Sequence, residues 1–182
     1  MLDESSTNSI RLQLALKRLV KAADEVQIQF DADKSEYIHF QRGRDPIDIK
    51  IILTFTTNEG PKIVEIRPQE QFKWLGMWLN RKLIFKMHTE MKCAAATRAF
   101  HLIYRLSNIS KGLSFQAIRQ LYISCVKAIG VYRVSYWWNH NYARINGFEK
   151  LQNSVLKTIL GQFRTAPIIS MEIKAVIPPI RI

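Results

Sequence analysis

Acidic residues all but vanish from the middle of this 182-residue chain. Between positions 71 and 166 there are two, Glu90 and Glu149, against 15 Lys and Arg. Metal-dependent phosphoryl chemistry needs several carboxylates converging on the ions, and two distant acids do not make such a set. No adjacent Asp-Asp pair occurs anywhere in the sequence. Cysteine is almost as scarce. Cys93 and Cys125 lie far apart, without the paired spacing of a zinc site, so they read as buried thiols in helices, with a disulfide as the alternative. Long apolar runs are missing too: the longest, from Ile123 to Trp138, is interrupted by Lys127 and Arg133. That excludes it as a transmembrane helix, and no membrane partner is expected. Met1 to Ser9 is polar and acidic where a secretory signal would be basic and then apolar, so an intracellular protein is expected. There is no Gly-rich phosphate loop, no His-x-x-x-His and no Gly-x-Ser-x-Gly, which removes the common nucleotide, zinc and serine-nucleophile signatures. His39, His88, His101 and His140 are scattered, and a structural role is the default for each.

What is present is an apolar content of 47% with 23% charged residues, the balance of a globular chain. The net charge of +12 is unevenly placed: residues 1 to 70 hold 10 Lys and Arg against 12 acids, so the excess belongs to the segment that follows. A surface with that bias attracts phosphate through charge neutralisation and counterion release, although a merely solvated basic face has the same composition.

Apolar periodicity divides the chain in the same way. Ser9 to Ala23 carries Ile10, Leu14, Leu16, Leu19, Val20 and Ala23 near helical spacing. Alternation then predicts short strands at Val26 to Phe30 and Tyr37 to Phe40, around a turn at Asp31 to Lys34. Asp31 and Asp33 flank that turn. They could hold a cation in principle, but Asp bonding its own backbone is the commoner use. Ile47 to Thr56 and Lys62 to Ile66 flank Thr57-Asn58-Glu59-Gly60-Pro61 and predict a hairpin. Phe72 to Leu79 reads as one further strand with Gly76 inside it. From Leu83 the texture is helical, with helices expected at Phe85 to Leu106, Ser114 to Tyr136 and Ala143 to Phe163. In the second of these, Ile118, Leu121, Tyr122, Cys125, Val126 and Ile129 form the arc expected to face a core. In the third, Phe148, Leu151, Val155, Ile159 and Leu160 form the apolar side, while Lys150, Lys157 and Arg164 recur every seven residues and point away. The fold class expected is α+β, a partial β-sheet with one packing helix followed by an α-helical bundle.

Three segments, in order, resemble the reverse transcriptases of LINE-type (non-LTR) retrotransposons, most closely those of filamentous fungi. VQIQFDADKSEYIHFQR, residues 26 to 42, resembles the palm segment that follows the catalytic Asp-Asp of that family. FKWLGMWLNRKLIFKMH, residues 72 to 88, resembles the primer-grip strands and the entry to the thumb. LQNSVLKTILGQFRTAPIISMEIKAVIPPI, residues 151 to 180, is similar to the late thumb and the linker beyond it. RQLYISCVKAIGVYRVSYWW matches between them in order and spacing. Arg133 departs from the small residue usual there, and Ala166 stands where a second Thr is usual.

The resemblance implies a division into the carboxy-terminal part of a palm, residues 1–82, a helical thumb, residues 83–166, and the start of a linker, residues 167–182. It implies a fragment of an RNA-directed DNA polymerase whose partner is an RNA/DNA template-primer duplex. The catalytic carboxylates and the Mg2+ they hold in the intact family protein would lie before residue 1, so this chain by itself is expected to be inactive and to need no cofactor. Lys34 would stand where the palm lysine approaches the leaving pyrophosphate as its proton donor. Phe72, Lys73, Trp74, Leu75 and Gly76 map onto the primer grip, with Leu75 and Trp78 also expected in strand core. Lys150, Lys157 and Arg164 would follow the phosphate backbone along one helix. His88 matches a histidine of the thumb entry. A retrotransposon role places the protein in the nucleus. A non-enzymatic basic nucleic-acid-binding module and a remnant without function share the same composition, and the oligomeric state is open.

Overall fold

A computed structural model describes residues 4–28, 30–31, 34–41, 43, 50–57, 60–107 and 112–180. They fall in two units, Met1–Ile84 and Phe85–Ile182. The fold class is α+β, helices with two small antiparallel sheets.

In the first unit, period-2 alternation sorts the side chains of β1 (Ile51–Thr57): Ile51, Leu53 and Phe55 are buried, whereas Ile52 and Thr54 are exposed. β1 pairs antiparallel with β2 (Gly60–Ile66), from Ile51 opposite Ile66 to Thr57 opposite Gly60. The inner face of this hairpin takes Leu16 and Val20 from α1 (Glu4–Glu25). The apolar residues expected on one helix face therefore divide. Val20 and Ala23 are buried, but Ile10, Leu14 and Leu19 stay exposed, because a two-stranded sheet covers only one narrow stripe of the helix.

Three expectations for this unit change. The predicted strand Val26 to Phe30 is a helix ending: Gln27 takes a left-handed conformation, φ 59°, and the Ile28 N–H donates to Ala23 O at 2.9 Å. Val26, Ile28 and Phe30 are exposed. Tyr37 to Phe40 gives no ladder either, only an isolated bridge between Tyr37 and Pro68. Alternation describes which way side chains point, and it makes a strand only where a partner edge exists. Phe72 to Leu79 is not one strand but two: β3 (Gln71–Trp74) pairs with β4 (Met77–Asn80), Trp74 opposite Met77. Leu75 (φ 45°) and Gly76 (φ 80°) form the two-residue turn between them. Positive φ at both central positions is the type I′ pattern that matches strand twist, and glycine serves the second position without strain.

The second unit is helical. α2 (Lys86–Leu106) supplies Ala96, Phe100 and Ile103 to its core, and α6 (Asn146–Leu160) supplies Leu151, Val155, Leu156 and Ile159. The two helices approach closely at Gly147, where a Cβ would stand 2.8 Å from the Cys93 sulfur. The expected helix Ser114 to Tyr136 is broken into α3 (Phe115–Leu121), a π turn at Tyr122–Lys127, α4 (Ala128–Gly130) and α5 (Val134–Trp137). Ile118, Tyr122, Val126 and Gly130 are all buried. In a regular α-helix residues four apart drift by about 40° a step, so a run of three steps leaves the core face. The wider π turn removes that drift. It also turns Cys125 outward: this thiol is exposed, not in the core, and Cys93 is half-buried. A 3-10 turn at Tyr142–Arg144 precedes α6, which ends at Leu160 with Gly161 in left-handed geometry as its cap.

Residues expected in a linker form α7 (Ile168–Ala175), whose Met171 and Ala175, with Ile177, belong to the same core as α2 and α6. Arg119 fastens it, donating to Ala175 O at 2.6 Å and Val176 O at 2.8 Å. Buried Gln152 accepts from the Tyr122 hydroxyl at 2.9 Å and donates to Pro178 O at 3.1 Å, tying α6 to both neighbours. Burial pushes the Tyr122 hydroxyl upward, so it stays a donor at any physiological pH.

Candidate nucleic-acid interface

The β3–β4 hairpin raises the apolar residues at its turn into solvent, while Met77 is buried. Trp74 is 57% and Leu75 58% exposed at the turn, Lys73 is exposed beside them, and Phe72 is half-buried. Leu75 is thus not strand core, because the turn carries it to the tip. Holding a branched residue at φ 45° costs about 1–3 kcal/mol, so the sequence keeps an apolar side chain at a position that Asn or Gly would fill with less strain.

Lys34 lies on the surface, 85% exposed, with Nζ 3.0 Å from an Asp31 carboxylate oxygen. The hydrogen bond and charge of Asp31 raise its pKa, so it is cationic throughout the physiological range. The Asp31 main-chain carbonyl accepts from the Lys34 N–H at 3.3 Å and from the Ser35 hydroxyl at 3.0 Å, so the turn closes on the backbone while the carboxylate pairs with Lys34. Asp33, the other acid of the conceivable cation pair, lies outside the described residues. Among the described residues no three His, Cys, Asp or Glu converge as a metal-holding group.

The heptad of cations is divided by the end of α6. Lys150 and Lys157 sit two turns apart on one side of the helix, opposite buried Phe148, Leu151, Val155 and Ile159. Arg164 is exposed but comes after the Gly161 cap, so the three do not share one helix. Heptad spacing continues through a sequence without regard to whether the backbone stays helical.

The structure brings Lys157 to a different neighbour. The last turns of α2 and α6 border a groove of about 580 Å³ lined by Tyr104, Arg105, Ser107, Lys157, Thr158, Gly161 and Gln162. Tyr104 is 55% exposed while its ring leans on buried Phe100, centroids 6.2 Å apart. The Tyr104 carbonyl accepts from the Ser107 hydroxyl at 2.6 Å, which closes the helix end beneath the groove. Tyr104 and Arg105 were missed in the sequence; an aromatic residue adjoining a cation at a helix end was the available signal.

His88 belongs to packing. It is fully buried near Trp137, ring centroids 6.1 Å apart, and its backbone partner is Tyr132. The Tyr132 carbonyl also accepts from the Trp137 indole at 3.0 Å, and Lys92 lies 4.1 Å over the Tyr132 ring. Burial first, and Lys92 second, lower the His88 pKa. A nearby apolar cavity, lined in part by Trp137, Phe148 and Val126, has about 90 Å³, less than the roughly 150 Å³ that admits benzene in an engineered core.

The chain matches no family model, no curated protein and no solved structure. Among the described residues no helix is long and apolar enough to cross a membrane.

Proposed function

We propose that this chain is a palm-end and thumb fragment of a retrotransposon RNA-directed DNA polymerase, and that its second unit holds a template-primer duplex. The observation that carries the reading is charge: residues 85 to 182 contain 14 Lys and Arg against three acids, Glu90, Glu149 and Glu172. The ordered motif resemblance supports it. Phosphate contacts by cations position a duplex without reading its sequence, which is what a polymerase requires of the surface that holds its product. Lys150, Lys157 and Arg164 meet the phosphates, and the Trp74-Leu75 tip presses on the primer backbone in the intact protein. There Lys34 would exchange Asp31 for the leaving pyrophosphate. The Mg2+ implied by the resemblance finds no donor set among the described residues.

Binding to duplexes of unrelated sequence, measured against salt, tests the reading. The logarithm of affinity falls linearly with the logarithm of salt, with a slope of about 0.9 per phosphate neutralised. The variant K150E/K157E/R164E binds all sequences more weakly and with a flatter slope, its helical content unchanged. A variant that binds like the parent at every salt concentration removes these cations from the interface. The chain alone extends no primer in Mg2+ or Mn2+, and extension that survives substitution of both Asp31 and Asp33 would overturn the assignment as a severed fragment.

A further inference from the structure

We infer that the groove between the last turns of α2 and α6 holds an unpaired nucleotide, with its base on Tyr104 and its phosphates between Arg105 and Lys157. The inference rests on the nucleic-acid reading and narrows it, since it assigns Tyr104 and Arg105 to a single strand, while Lys157 at the groove's border is shared with the duplex surface. Three observations meet here.

The first is size: about 580 Å³ lies within the roughly 300–1,000 Å³ of pockets that hold small molecules. The second is the ring. Tyr104 rests on Phe100, which fixes it, and more than half of the residue remains open to solvent. A base stacks on such a platform only when it is splayed out of a helix, because paired bases already have their faces covered by neighbours. A duplex cannot use the ring except at its ends. The third is charge. Arg105 and Lys157 each stand in the last turn of their helix. There a cation is ordinarily explained by the helix dipole, about −0.5 of a charge at each carboxy-terminal end. Two such ends offset about one unit, and two full positive charges leave about one over. Among the described residues no acid lines the groove, so the surplus is not met by them. Gly161 places bare backbone at the border, which leaves room for a sugar-phosphate chain to approach.

Fluorescence anisotropy of the whole chain with labelled oligo(dT), and in parallel with a long blunt duplex, tests the inference. Tyr104→Ala weakens oligo(dT) binding roughly 5- to 150-fold, the range of one lost base stack, and leaves the duplex affinity within about twofold. Tyr104→Leu keeps the packing on Phe100 and loses oligo(dT) just as Ala does, so a folding defect is distinguished from a lost platform. Tyr104→Phe binds like the parent. Arg105→Glu weakens oligo(dT) binding and flattens its salt slope while leaving duplex affinity within about twofold. Equal losses on both substrates, or none on either, overturn the inference. A parent chain that binds duplex but no oligo(dT) overturns it while the duplex-holding proposal stands. Tyr104-dependent oligo(dT) binding without duplex binding supports it and removes that proposal. A parent that binds neither removes both.

Discussion

The two units handle charge in opposite ways. Residues 1 to 84 hold 13 Lys and Arg against 12 acids, residues 85 to 182 hold 14 against three. In the first unit cations and acids meet at short range: Glu65 is 3.0 Å from both Lys50 and Arg67, Glu70 is 3.5 Å from Arg81, and Asp31 is 3.0 Å from Lys34. In the second, Lys86 and Glu90 pair at 3.9 Å, while Arg119 and Arg144 donate to backbone carbonyls and Lys92 lies over an aromatic ring. The cores differ in the other direction. Among the described residues, four buried residues form the first core, Val20, Ile51, Leu53 and Phe55, against thirteen in the largest cluster of the second. Charge neutralisation within a unit adds little stability when the pairs are exposed, so the balanced unit is the thin one. The basic unit owes its order to apolar packing.

The largest effect that sharpens this contrast is on stability. Leu156 is fully buried, and Leu156→Ala costs the chain about 2–5 kcal/mol of second-unit stability, whereas Ile63→Ala, at a site 72% exposed, changes the first unit by under about 0.5 kcal/mol. Denaturant unfolding measures both. Hydrogen exchange gives the companion result: amides of β1 and β2 exchange well before those of α6, and the exposed apolar face makes the first unit prone to aggregate. Equal protection in the two units would break the comparison and the idea of a severed palm with it.

A smaller effect separates the units by pH. The buried His88 has its pKa lowered from 6.5, so it folds neutral, and protonation favours the unfolded state. Its contribution is complete above pH 6.5 and is lost as pH falls below that value toward the folded pKa. Glu65 has its pKa lowered from 4.5 by Lys50 first and then Arg67. Its contribution is complete above about 4.5 and disappears only below. On acidification the second unit therefore softens before the first, followed by separate aromatic and amide probes, and His88→Phe removes the part of the slope just under pH 6.5. A first unit that yields earlier reverses the assignment. The smallest effect is at the hairpin tip: Leu75→Asn, better suited to φ 45°, raises the melting point of the first unit by a degree or a few, from relief of about 1 kcal/mol or more of strain.

How much of this was legible from residue order depends on range. The inward sides of β1 and α6 follow from alternation and helical spacing, because a buried face has to be apolar whatever it packs on. The Phe72 to Leu79 run concealed its turn because Leu75 stands where Asn or Asp would have announced one. The π turn has no composition of its own, and its sign was the spacing of four shared by Ile118, Tyr122, Val126 and Gly130. α7 hid between Pro167 and Pro178, which read as the punctuation of a linker, and only the core it completes gives it a reason to be ordered.

By itself the sequence determined the segregation of charge, the scarcity of carboxylates in the basic half and the two-part α+β character, since these are properties of composition and local period. Tertiary structure alone decided which of the apolar arcs on α1 is covered, that Cys125 faces out, and that Arg164 leaves the line of Lys150 and Lys157. It also decided that Tyr104 and Arg105 meet Lys157. These residues are distant in the chain, and no local preference places one helix end beside another. The packing of Phe100, Ile103, Val155 and Ile159 into one core does so, because burying those faces together fixes where both helices end.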